Sequence, residues 1–68
     1  MTTEKIENAQ KKLGYLDKKL SDKIKYAAHL KDSNAKLFAR AVANYEIAAV
    51  YSEIGQTLSY LDYLKKQD

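Results

Sequence analysis

Apolar residues recur along this chain in two different ways. From residue 3 to 31, Ile6, Ala9, Leu13, Leu16, Leu20, Ile24 and Ala27 stand three or four apart, the spacing that gathers side chains on one face of an amphipathic helix. From Ala35 to Tyr51, thirteen of seventeen residues are apolar. At about 100° per residue, Leu37, Phe38, Ala41, Val42, Tyr45, Ala48 and Ala49 fall on one face of a second helix. Ile47, Val50, Ile54, Leu58 and Leu61 fall on nearly the opposite face. Coiled-coil winding removes only about 20° of drift per heptad, so one partner helix does not cover both.

Lys31-Asp32-Ser33-Asn34 is the only polar cluster between the periodic segments. It predicts a turn between helices of about 3–31 and 35–66, that is, an all-α antiparallel hairpin forming a single domain over residues 1–68. Thr2 or Thr3 is an N-cap candidate for the first helix, with Glu4 in its first turn and His29 and Lys31 near its C-terminus. Asp32, Ser33 or Asn34 can cap the second. No Gly or Pro enforces the turn, so the pattern also admits one uninterrupted helix, or further breaks at Ser21-Asp22 or Ile54-Gly55-Gln56. Gly14 and Gly55 come level in a hairpin, either as a close backbone approach or slot, or as two tolerated glycines.

Size turns the second apolar face into a prediction. A chain of 68 residues buries roughly 60% of its unfolded surface and is marginal without a staple or a partner. With no cysteine, neither a disulfide nor a thiolate metal site supplies the staple. One helix face is already used by the first helix, which leaves Phe38, Ala41, Val42, Tyr45, Ala48 and Ala49 as an expected oligomer interface. Two hairpins joined there make a four-helix bundle, with alanines allowing close approach and Phe38, Val42 and Tyr45 filling the space between. Asn44 is either a register-fixing polar residue at that interface or, with Lys36 and Arg40, part of a narrow wet edge.

The formal charge of +3 comes from the first half, where residues 1–32 carry eight Lys against five acidic residues. Lys11, Lys12, Tyr15, Lys18, Lys19 and Tyr26 project from the outer side of the first helix and form a candidate polyanion-binding face. Arg40 is the only arginine, and Glu4 and Asp22 interrupt the basic field, so a solvated helix face is the competing reading. Glu46 and Glu53 lack the Glu-x-x-His partners of a di-metal bundle and are expected to pair with Lys12 or Lys19. Tyr45, Tyr51 and Tyr60 are expected to pack in the core or an interface, with hydroxyls at the rim. His29, the only histidine, has no nucleophile or second acid assigned to it, and no phosphate loop, triad or zinc spacing is present. The resulting expectation is a non-enzymatic, cofactor-free and metal-free interaction or regulatory module. It is expected to homodimerise in the cytoplasm without membrane insertion, with nucleic-acid binding through the lysine and tyrosine face as the alternative.

Overall fold

In a computed structural model, which describes residues 2–33 and 36–67, the chain is a hairpin of two long helices. They are α1 (Thr2–Asp32) and α2 (Leu37–Lys66), packed along their whole length in a rod with Cα extents of 51 × 14 × 11 Å. Both helices are continuous. Neither Ser21-Asp22 nor Gly55 breaks its helix, and the hairpin prevails over a single helix.

The helices meet along a seam that alternates steps of three and four residues. In α1 it runs Ile6, Ala9, Leu13, Leu16, Leu20, Lys23, Ala27 and Leu30; in α2 it runs Arg40, Ala43, Ile47, Val50, Ile54, Thr57, Leu61 and Leu64. Every one of these residues is buried or half-buried. The repeat averages 3.5 residues, the period at which a supercoiled pair keeps its contact line facing the partner. Counting at 3.6 misplaces two positions: Ile24 and Leu58, each expected with the seam residues of its helix, are 44% and 51% exposed, and Lys23 and Thr57 take their places. The Lys23 ammonium reaches across to the Glu46 carboxylate at 2.7 Å, which gives a charged seam residue a partner.

Thr57 is the buried polar residue of α2, and its hydroxyl donates to the Glu53 carbonyl one turn back at 2.8 Å. That local bond satisfies the hydroxyl within its own helix, so burying it leaves no orphan donor.

The polar cluster between the helices ends α1 rather than starting α2. The Ser33 amide donates to the His29 carbonyl at 3.0 Å and its hydroxyl to the Leu30 carbonyl at 3.1 Å, which closes the last turn of α1. Asp32 belongs to α1, and Asn34 lies outside the described residues. The N-cap of α2 is Lys36, extended at φ −55° and ψ 145° and without a side-chain cap bond. Helix α1 already includes Thr2, so Thr3 is inside the helix and the cap position lies outside the described residues.

Gly14 and Gly55 both face solvent, and a Cβ added at either meets nothing within 4 Å. They form neither a close approach nor a slot.

Candidate interaction surfaces

With the seam facing α1, the side of α2 that carries the first apolar set is turned outward. Phe38 is 79% exposed, Tyr45 75% and Val42 41%, and Ala41, Ala48 and Ala49 are exposed beside them. Leu37, not among the expected interface residues, is 77% exposed at the edge of the same face. Its place in the same apolar run was the available signal. Beyond Ala49 the outward side becomes more polar, because Ser52, Gln56, Ser59 and Asp62 follow at helical spacing and all are exposed, with Tyr63, 58% exposed, at its far end.

Alpha-helical geometry explains why these residues share a patch. Positions 38, 41, 42, 45, 48 and 49 are three, four and seven apart, so they rise along one stripe of α2. The helix beneath them is long and uninterrupted, which makes the stripe a fixed surface rather than a loop.

The outer side of α1 is polar. Lys11, Lys12 and Lys18 are exposed together with Tyr15 and Tyr26, and Lys19 is half-buried. The Lys19 ammonium lies 5.9 Å from the centroid of the Tyr15 ring, a cation–π distance that occupies one face of that ring. Lys12 also rims a groove of about 350 Å³ between the helices at the end away from the turn. Ala9 and Thr57 line its floor, with Lys5, Gln56 and Tyr60 at its sides.

Glu46 does make an inter-helix ion pair, but with Lys23 instead of Lys12 or Lys19. Among the described residues, Glu53 has no salt-bridge partner within 4.0 Å, and the other ion pair joins Lys66 to Asp62 at 3.1 Å. Tyr45, Tyr51 and Tyr60 are all exposed, so none contributes to the hairpin core. Asn44 and His29 are exposed as well, and Arg40 is half-buried in the seam. No cluster of three or more His, Cys, Asp or Glu residues that could hold a metal occurs among the described residues. No helix among them is long and apolar enough to cross a membrane.

Comparison with protein-family models, curated proteins and solved structures finds no match for this chain.

Proposed function

We propose that this protein is a non-enzymatic interaction module that homodimerises through the outward face of α2 to form a four-helix bundle. The observation that carries this reading is the exposure of Phe38, Val42 and Tyr45 around a floor of alanines on a rigid helix. Monomeric proteins leave few such contiguous apolar patches uncovered, and a second copy is the commonest cover. Helix α1 then lies on the outside of the bundle, with its lysine-rich side free for a further partner.

Size-exclusion chromatography with light scattering tests the reading directly. The expected mass is twice the 7.8 kDa of the chain. A folded monomer at tens of micromolar would overturn it.

Nucleic-acid binding by Lys11, Lys12, Tyr15, Lys18, Lys19 and Tyr26 is the second reading, favoured by the exposure of Tyr15 and Tyr26 among lysines. Such binding must weaken steeply as salt is raised, through counterion release. Fluorescence anisotropy with labelled RNA and DNA at low and high salt separates the two readings, since a pure protein-interaction module shows no binding at either.

A further inference from the structure

On one flank of the seam, at the end away from the turn, the two helices do not close on each other. The groove of about 350 Å³ there has Ala9 and Thr57 at its floor, 6% and 5% exposed. Both are small, whereas the neighbouring seam positions are Ile6 and Leu13 on α1 and Ile54 and Leu61 on α2. The bulky pairs on either side hold the helices apart, and two short side chains between them leave the space unfilled. The Thr57 hydroxyl is already committed to the Glu53 carbonyl at 2.8 Å, so the floor is an apolar surface.

The rim has a different chemistry. Lys5, Asn8 and Lys12 follow one another on α1 at spacings of three and four and form one edge, and Gln56 and Tyr60 of α2 form the other. All five side chains carry hydrogen-bond donors, and no acidic residue lines the groove. Neither lysine enters a salt bridge among the described residues. The Gln56 amide donates to the Ser52 hydroxyl at 3.5 Å through one of its two N–H groups, which leaves the other for a ligand. The Tyr60 ring, 46% exposed, supplies a flat apolar wall.

We propose that this groove is a binding site for a small organic anion, a flat apolar body resting on Ala9, Thr57 and the Tyr60 ring with a carboxylate at the α1 rim. Asn8 stands between the two lysines, so a carboxylate beside its amide is within reach of both flexible ammonium groups. The sign of the ligand follows from the rim, where a cation would meet two ammonium groups and no counter-charge. Its size follows from the volume, at the lower end of the roughly 300–1,000 Å³ of small-molecule sites, which suits a compact molecule. The site does not rest on the dimer reading, because Phe38, Val42 and Tyr45 lie toward the turn and the groove lies at the other end of the hairpin.

NMR titration of the amide signals of the full chain tests the site, with cinnamate as the probe. Cinnamyl alcohol serves as its neutral counterpart and inorganic phosphate as a charge without an apolar body. The expected result is saturable cinnamate shifts centred on the backbone amides of Ala9 and Thr57 and the side-chain amides of Asn8 and Gln56. The alcohol and phosphate should each bind about tenfold more weakly or worse. The Lys5→Gln/Lys12→Gln variant, altered only at exposed positions, should lose about tenfold in cinnamate affinity, since each exposed charge contact is modest. Ala9→Leu fills the floor and should abolish the shifts while circular dichroism reports an intact hairpin; if that variant unfolds, the lysine variant decides. Shifts centred on Phe38, Val42 and Tyr45 put the probe on the outward apolar face and overturn the site. Equal affinity for the alcohol or for phosphate, undiminished binding by the lysine variant, or no saturable shift overturns it as well.

Discussion

The two halves of the hairpin use their apolar residues in opposite ways. In the half away from the turn, Ala9, Leu16, Leu61 and Leu64 are buried between the helices with Thr57. The outer side of α2 there is mixed, with Ser52, Gln56, Ser59 and Asp62 beside the exposed Tyr63 and, at its flanks, Leu58 and Tyr60. In the half nearest the turn, Ala43 and, close to the middle of α2, Val50 are the buried residues among those described, and Leu37, Phe38, Val42 and Tyr45 stand on the outside. One half therefore places more of its apolar bulk in the seam, and the other leaves more of it on the outside. Apolar content does not distinguish them; the helix face that carries it does. An isolated two-helix unit has only one internal interface, so material placed off that seam gains burial only from another molecule.

The largest effect should come from the half away from the turn. Leu16→Ala is expected to cost about 2–5 kcal/mol, enough to unfold a small domain, whereas Leu30→Ala, at a half-exposed seam position near the turn, should cost clearly less. Urea titrations followed by circular dichroism compare them, and equal losses would break the distinction between the halves. Next in size, Tyr45→Glu places a charge in the outward face. It should weaken self-association at least tenfold, about 1.4 kcal/mol, in sedimentation equilibrium while the chain remains helical. An unchanged dimer would move the interface away from this half.

Smaller changes sharpen the picture of α1 and α2 as continuous helices. Gly14→Ala and Gly55→Ala should each stabilise by about 0.5–1 kcal/mol, because both sites are helical and a Cβ meets open space at each. A lower denaturant midpoint for Gly55→Ala would mean that assembly uses the space beside it. The smallest effect is expected for Glu46→Gln. The Lys23–Glu46 pair is 28% and 48% exposed at its two side chains, so its loss should cost under about 1 kcal/mol and matter less at high salt. A salt-independent loss of several kcal/mol in the same titration would show that the pair is shielded from solvent.

The hairpin and most of its seam were legible because apolar residues three and four apart have one mechanical meaning on a helix. The polar seam positions were not. Lys23 and Arg40 carry long aliphatic stems and Thr57 returns its hydroxyl to its own backbone, so each tolerates burial that its polarity argues against. Reading Ile24 in place of Lys23 follows from a 3.6-residue count where winding holds the repeat at 3.5. The helix bounds came out within two residues, but the cap of α2 did not: Ser33 serves equally as a start or a stop signal, and its bonds to His29 and Leu30 decide for the stop. The outward face of α2 was visible as a second apolar direction, since no single partner helix covers two opposed faces.

The placement of the buried residues also bears on the order in which the hairpin assembles in time. Closing the short connection brings the turn-proximal residues together first, at the lowest loop entropy. The Lys23–Glu46 pair already spans 23 residues of chain, and the packing of Leu16, Leu61 and Leu64 lies farther still from the turn. Early zipping thus passes through the stretch that offers least burial, and the reward arrives late. A second copy seated on Phe38 and Tyr45 would supply burial in that early stretch, making the refolding rate rise with protein concentration.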